Sequence, residues 1–228
     1  MKRISASRLD IALHCQAPWS TDMPWETGTS PAALYGTEIH SMVEAALAGV
    51  PVPKFTSKHA VDFAAWERWW DPTISVEALE QPYCIDIDGN VSKLEKRGKR
   101  NYDDAPALSI VGTADCVTDT SVIDWKTGAV IGEARESEQL RFLGALADKS
   151  EINLVQIRSG GIEARGASLA ADERAEIKRD AVNLLKIYRD DPRHTGGKWC
   201  RWCPARSACP KNAFAKLAKT GEKTEFSF

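Results

Sequence analysis

The sequence predicts an α/β domain in which a central mixed β-sheet is flanked by helices. Segments rich in Val, Ile and Thr occupy the middle of the chain, and stretches of helical periodicity precede and follow them. A helical stretch also lies between the third and fourth β-like segments, which is the arrangement of a βαβ unit. The length of 228 residues suits one domain, so we expect a single domain over residues 1–228.

Helices are predicted on both sides of the strand region. The first begins near Ser5 or Ser7, and a loop rich in Trp, Pro and Gly follows over residues 18–31. Apolar residues at helical spacing, ended by Gly or Pro, predict the others at 32–48, 58–70, 136–148 and 169–190. Strands are predicted at 74–87, 107–118, 121–127 and 152–158, with a basic loop at 93–104 between the first two.

Composition indicates an ordinary globular protein, but it does not indicate what chemistry the protein performs. A hydrophobic fraction of 43% and a charged fraction of 27% are ordinary for a globular domain and exclude disorder and collagen-like repeats. No apolar run approaches the roughly 20 residues of a membrane helix. The first 20 residues also lack the apolar stretch of a secretory signal, so we expect no membrane association and a cytoplasmic location.

Charge is unevenly distributed, although the net charge is only −2. Residues 192–221 contain no Asp or Glu and seven Lys or Arg, and a second basic cluster lies at 93–100. Such runs are often ordinary solvated surface, and they equally suit contacts with phosphates. The candidate nucleic-acid contacts in these two regions are Lys96, Arg97, Lys99, Arg100, Arg201 and Arg206.

Residues 112–128 contain the most informative pattern, two strands joined by a short turn. A turn centred between Asp119 and Thr120 places Asp115 opposite Asp124. Side chains alternate along a strand, so Lys126 shares a face with Asp124. Facing like charges destabilise a sheet, and a magnesium or manganese ion held by the carboxylates would relieve the repulsion. The alternative is a surface hairpin whose aspartates cap turns.

Five short motifs in order resemble the PD-(D/E)XK nucleases, specifically the RecB-like branch. Two of them, Asp115 and the sequence Asp124-Trp125-Lys126, resemble the family core. The others are Gly36-Thr-Glu-Ile-His40, similar to its Gly-x-x-x-His motif, Gln139, similar to its glutamine motif, and Cys15 with Cys200, Cys203 and Cys209, similar to its iron–sulfur subgroup. That subgroup includes CRISPR-associated and phage RecB-like exonucleases and the AddB nuclease domain.

The resemblance implies a restriction-endonuclease-like core and a set of site residues. His40 would be the third metal ligand beside Asp115, Asp124 and the backbone carbonyl of Trp125. Lys126 and Gln139 would complete the catalytic site, with Gln139 near the substrate or the lysine. Glu38 and Glu44 are alternative ligands, and Glu44 could instead orient the imidazole of His40. The family commonly has Tyr four positions after the glutamine, where this chain has Leu143.

Cysteines form the second candidate metal site. Cys200 and Cys203 are separated by two residues, a spacing that lets both sulfurs face one ion, and Cys209 follows closely. By the resemblance, Cys15 is the fourth ligand, which would join the N- and C-terminal ends. We expect a 4Fe-4S cluster here, with zinc as the alternative. Cys84 and Cys116 lie in predicted strands and are expected in the core.

These features predict a magnesium- or manganese-dependent deoxyribonuclease, expected to act as an exonuclease on single-stranded DNA or DNA ends. Recombination, repair and CRISPR or phage DNA processing are the expected settings. The chain has no P-loop motif, so a helicase would be a partner, as would a single-strand-binding or CRISPR adaptation protein. The alternatives are a non-catalytic nucleic-acid-binding subunit with this fold and a structural zinc protein.

Overall fold

A seven-stranded mixed sheet forms the centre of the protein. The computed structural model describes residues 2–26, 30–96, 102–128 and 131–211. The strands are β1 (Ile4–Ser5), β2 (Val76–Asp86), β3 (Val91–Lys93), β4 (Ser109–Thr118), β5 (Ser121–Lys126), β6 (Glu151–Arg158) and β7 (Gly161–Ser168). Their order is β3-β2-β4-β5-β6-β7, with β1 paired to β4. The pairs β1–β4 and β5–β6 are parallel and the others antiparallel, which confirms the predicted fold class.

Within the described residues, six α-helices surround the sheet. They are α1 (Leu9–Ala12), α2 (Ala17–Ser20), α3 (Pro31–Leu47), α4 (Ser57–Trp69), α5 (Glu138–Leu146) and α6 (Ala171–Asp190). The four longer helices lie within about two residues of their predicted bounds, a difference typical of helix ends. Among the described residues, no helix combines the length and the apolar character that crossing a membrane requires.

Three strands and one helix were not predicted from the sequence. The strands β1 and β3 have two and three residues, too few to show alternation. The edge strand β7 has no buried face, so it lacks the apolar signal of a half-buried strand. The helix α2 lies at the start of a segment predicted to be loop, and its single turn is too short for helical periodicity. The first predicted helix is a 3₁₀ turn, Ala6–Arg8, followed by α1.

Apolar side chains cover both faces of the sheet. On one face α5, α6 and the N-terminal segment pack against β4 and β6, and Leu143, Leu185 and Tyr188 are fully buried there. On the other face α3 and α4 cover β5, where Ile39 and Trp66 pack against Trp125. Full burial of one such side chain contributes about 1.5–3 kcal/mol. Both surfaces of β4 and β5 are therefore covered, which places their polar residues in the interior.

Hydrogen bonds join the two ends of the described chain. The backbone N–H groups of Gln16 and Ala17 donate to the Arg193 carbonyl at 3.0 and 3.3 Å. Arg193 N–H donates in return to the side-chain oxygen of Gln16 at 2.8 Å. Farther along, the Thr195 hydroxyl donates to the His14 carbonyl at 2.7 Å. These contacts hold the segment after α6 against α1 and α2.

Gly144 allows α5 to approach the sheet closely. A Cβ atom at this position would lie 2.6 Å from Ile152 Cγ2 and 2.8 Å from Leu169 Cδ1, and both of these side chains are buried. We expect Gly144→Val to lower the free energy of unfolding by about 1–3 kcal/mol, because overpacking displaces core side chains. Urea denaturation measures this loss. Gly132→Val is the control, since no heavy atom lies within 4 Å of a Cβ there. Equal losses in the two variants would contradict the packing argument.

Candidate active site

The helix α3 carries His40 to the end of β5. Ser30 caps the helix by accepting a hydrogen bond from Ala33 N–H at 3.1 Å, and Pro31 begins it. A Cβ at Gly36 would lie 2.8 Å from Thr127 Oγ1, so a larger residue would require the Thr127 side chain to move. His40 follows one turn later. The Gly-x-x-x-His spacing therefore has a physical basis, because the glycine brings the histidine over the strand.

One ring nitrogen of His40 makes a hydrogen bond, and the other faces a carboxylate. Its Nε2 lies 2.8 Å from the carbonyl oxygen of Trp125, and a carbonyl can only accept, so Nε2 carries the proton. Its Nδ1 faces Asp115 Oδ2 at 3.6 Å. Burial lowers the pKa of His40, which favours the neutral imidazole. A neutral ring with an unprotonated Nδ1 is the form that binds a metal ion.

The strand β2 changes face in the middle of its length. Leu79 packs with the cluster under α3 and α4, whereas Tyr83 packs with the opposite cluster. Two residues separated by an even number of positions along a strand normally have their side chains on the same face of the sheet. Glu80, between them, has a φ of 47°, in the left-handed region that residues other than glycine rarely adopt. The alternation of side chains along β2 is therefore interrupted at Glu80, and residues after it point to the opposite face from the one that regular alternation would give.

The neighbouring strand β4 makes the same change. Ala114 belongs to one apolar cluster and Cys116 to the other, although they are two residues apart. These residues pair with Gln81 and Leu79 respectively. Asp115 and Glu80 therefore lie beside each other at the point where both strands switch faces.

His40, Glu80 and Asp115 form a compact group of possible ligands. Each offers one nitrogen or oxygen atom, and these atoms all lie within 4.8 Å of one another. Asp115 is only 7% exposed. Carboxylate oxygens suit magnesium and manganese, and an imidazole nitrogen is compatible with manganese. The donor set therefore fits a divalent cation.

The aspartate and lysine of β5 lie next to this group. Lys126 Nζ is 2.7 Å from Asp124 Oδ2, which agrees with the predicted shared face. Asp124 is 3% exposed, whereas the Lys126 side chain is 41% exposed and can reach a ligand. The pairs Cys116–Ile123 and Val117–Val122 follow the predicted register between β4 and β5. Beyond them, Asp115 Oδ2 accepts a hydrogen bond from Trp125 N–H at 2.8 Å.

The structure adds one candidate to the predicted ligands and gives the Trp125 carbonyl a hydrogen-bond partner. Glu80 was not among the predicted residues, since it lies in a strand segment and its backbone conformation has no sequence signature. The Trp125 carbonyl, predicted as a ligand, accepts a hydrogen bond from His40. Of the two alternative glutamates, Glu38 pairs with His59 Nε2 at 2.8 Å and Glu44 pairs with Lys96.

A cleft of about 830 Å³ opens over the site. Its walls come from α3, from Glu80, from Lys96 and from the end of β5 with Thr127 and Gly128. His40 and Lys126 both line it. Gln139 lies half-buried in the first turn of α5 and does not line this cleft. Of the basic residues predicted to contact nucleic acid near the cleft, Lys96 lines it, whereas Arg97, Lys99 and Arg100 lie outside the described residues.

Cys15 lies close to the three C-terminal cysteines. Burial raises the pKa of the Cys203 thiol, and the neighbouring thiols of Cys15, Cys200 and Cys209 raise it further. Cys200 Sγ is 3.4 Å from Gly197 N, which donates to it, and Cys209 Sγ is 3.2 Å from His194 Nε2. Thiols are the ligands that iron–sulfur clusters and structural zinc sites use.

The other two cysteines are core residues, as predicted. Cys84 packs with Leu94, Ala105 and Val111, and Cys116 is fully buried beneath α3 and α4. Burial raises the pKa of the Cys116 thiol to about 12, so this thiol stays protonated and unreactive.

Fold and site together define an α/β protein with a carboxylate, histidine and lysine centre at the edge of a cleft. The sequence profile of the PD-(D/E)XK nuclease superfamily matches residues 3–210. The chain belongs to this superfamily.

Solved structures also resemble the chain. SSO0001 is 22% identical, with 79% of this chain and 71% of that one covered and a TM-score of 0.44. An alkaline exonuclease, LHK-Exo from Laribacter hongkongensis, is 10% identical, with 82% and 88% covered and a TM-score of 0.42. The same exonuclease in complex with dAMP gives 12% identity, the same coverage and a TM-score of 0.42. The comparison with curated protein sequences gives no match.

Glu80→Gln tests the ligand group without reference to catalysis. Manganese at a hundredfold excess over its dissociation constant is expected to stabilise the wild type by about 2.7 kcal/mol, read as a rise in melting temperature. We expect a much smaller rise in Glu80→Gln, because one ligand is lost. The metal-free variant should melt at or above the wild type, since one of two adjacent carboxylates is neutralised.

Glu77→Gln is the matched control. Glu77 lies on the same strand but pairs with Lys149 at 2.8 Å, away from the group. This variant should keep the full manganese effect. A full effect in Glu80→Gln would exclude Glu80 as a ligand.

Proposed function

We propose that this protein is a magnesium- or manganese-dependent deoxyribonuclease of the RecB-like branch, acting as an exonuclease on single-stranded DNA or DNA ends. The observation that carries the proposal is the convergence of His40, Glu80 and Asp115, next to the Asp124–Lys126 pair, at the cleft that His40, Glu80 and Lys126 line. The motif order of the RecB-like branch supports the exonuclease assignment. Membership of the superfamily supports nuclease activity.

His40, Asp115 and either Glu80 or Asp124 would hold the divalent ion. A bound divalent ion supplies charge neutralisation at the phosphate and a lowered pKa of water. The Nε2–H···O contact with Trp125 orients the His40 ring so that Nδ1 faces the carboxylates. This outer contact fixes the tautomer in the way that metal-binding histidines require.

Lys126 supplies the positive charge that the chemistry needs. Asp124 holds its ammonium group at 2.7 Å, and the partly exposed side chain faces the cleft. From there Lys126 can orient the attacking water and stabilise the charge that develops on the phosphate. Lys96 now pairs with Glu44. When DNA binds, Lys96 would leave Glu44 and contact a neighbouring phosphate. The resemblance assigns Gln139 a contact with the substrate or with Lys126.

The four cysteines Cys15, Cys200, Cys203 and Cys209 are proposed to hold a 4Fe-4S cluster, with zinc as the alternative. The effect of Cys15, Cys200 and Cys209 on the pKa of the Cys203 thiol supports a common site. The cluster would reinforce the hydrogen bonds that already join the chain ends. Thiol ligands of this kind persist in a reducing compartment, which favours the cytoplasm. A helicase, a single-strand-binding protein or a CRISPR adaptation protein is the proposed partner.

Lys126→Ala tests the catalytic proposal. We expect cleavage of end-labelled single-stranded DNA to fall by about 10²–10³-fold or more, the usual cost of removing one transition-state contact. Gel assays with magnesium, manganese or a chelator measure this loss and the metal requirement. Lys186→Ala, on the exposed side of α6, is the control and should cleave at the wild-type rate. Wild-type protein that binds DNA but never cleaves it would instead support a non-catalytic binding subunit.

Cys15→Ala tests the cluster. Protein purified without oxygen should be brown and contain about four irons per chain, and this variant should lose the colour. Cys84→Ala should keep it, because Cys84 is a buried cysteine in a separate core cluster. Iron and zinc analysis with the visible spectrum gives the measurement. A colourless wild type with one zinc would refute the iron assignment, and retained iron in Cys15→Ala would refute Cys15 as a ligand.

A further inference from the structure

The cysteine segment presents an exposed aromatic ring. Trp202 ends the 3₁₀ turn Lys198–Trp202 and is 61% exposed, more than any other large apolar side chain of the described residues. Its backbone is held in place, because Arg8 donates from Nη1 to the Trp202 carbonyl at 2.5 Å. Cys200 and Cys203 lie two residues before it and directly after it. Trp202 is therefore a solvent-facing ring on an anchored turn.

Arginines surround this ring. The guanidinium carbon of Arg201 lies 4.9 Å from the centroid of the Trp202 ring. A groove of about 340 Å³ is lined by Arg8, Arg201, Trp202 and Arg206, with Glu26 as its single acid. Arg206 pairs with Glu26 at 2.9 Å and donates to the Arg201 carbonyl at 3.2 Å. The described lining therefore has three arginines and one carboxylate, which pairs with Arg206, so the groove has an excess of positive charge.

We propose that this groove binds single-stranded DNA, with a base stacked on Trp202 and the adjoining phosphates held by Arg8 and Arg201. The proposal rests on the proposed function for the identity of the ligand. Aromatic rings that stack bases, next to cations that follow the backbone, are the usual means of binding single strands. An acidic protein segment would pair with the arginines, but it would not use the exposed Trp202 ring. None of the groove residues lines the catalytic cleft, so the groove is a second contact point for the strand.

Trp202→Ala is the direct test. Binding of a labelled oligothymidine of about 16 nucleotides is measured by fluorescence anisotropy, without added divalent ion so that no cleavage occurs. We expect the dissociation constant to rise between about fivefold and about a hundredfold, the effect of losing one stacked base. Trp202→Phe should recover most of the affinity, because a ring remains.

Trp69→Ala is the matched control, since Trp69 is 40% exposed on α4 and lies outside the groove. It should bind DNA as the wild type does. For the wild type, a strand with abasic spacers in place of bases should bind more weakly than oligothymidine. For Trp202→Ala, the two strands should bind with equal affinity. Wild-type affinity in Trp202→Ala would overturn the proposal, as would equal loss in Trp69→Ala.

The arginine contact has a separate readout. In Arg201→Gln, the slope of log affinity against log salt should fall by about 0.7, the value for one phosphate contact on a single strand. An unchanged slope and affinity would remove Arg201 from the site. If Trp202→Ala weakens binding while the wild type never cleaves DNA, the groove stands and the nuclease proposal fails. If the wild type cleaves and Trp202→Ala binds normally, only the groove proposal fails.

Discussion

The buried carboxylate of Asp115 is the interaction on which the rest of the site depends. An ionised carboxylate in the interior is costly unless hydrogen bonds and nearby charges compensate it. Asp115 accepts one compensating hydrogen bond, from Trp125 N–H at 2.8 Å, and its Oδ2 lies 3.6 Å from the unprotonated Nδ1 of the neutral His40 ring. These contacts connect β4, β5 and α3 through one side chain. Any change that moves β5 relative to β4 therefore moves the histidine, the lysine and the carboxylates together.

The backbone at Glu80 gives this centre its third ligand candidate. A sparsely populated backbone conformation at a residue other than glycine costs of order 1–3 kcal/mol. Such a conformation is retained where the surrounding structure enforces it. Here the pairing of β2 with β4 continues on both sides of Glu80. The neighbouring pairs thus hold the residue in a conformation that brings its side chain next to Asp115. A regular strand would alternate through this point without a change of face.

The two candidate metal sites are built on different principles. At the His40 centre, the candidate ligands come from α3, β2, β4 and β5, and only tertiary contacts bring them together. Three of the four cysteines, by contrast, come from one short segment. Cys15 joins that segment because hydrogen bonds from Gln16, Ala17 and Thr195 already align the chain ends. The Trp202 groove borders the cysteine site and the His40 centre lines the cleft, so the protein carries two distinct surfaces suited to DNA.

Local sequence predicts most of the helices and strands, the β4–β5 hairpin that carries Asp115, Asp124 and Lys126, and the cysteine spacing. Each depends on neighbours within about ten residues, where periodicity and turn geometry decide the outcome. The folded structure, and no local pattern, places Glu80 beside His40 and Asp115 and directs His40 Nε2 to the Trp125 carbonyl. It also decided the pairing of Glu44 with Lys96 and the exposure of Trp202. These features arise between residues distant in the chain, whose approach depends on packing and backbone conformation that no local pattern encodes.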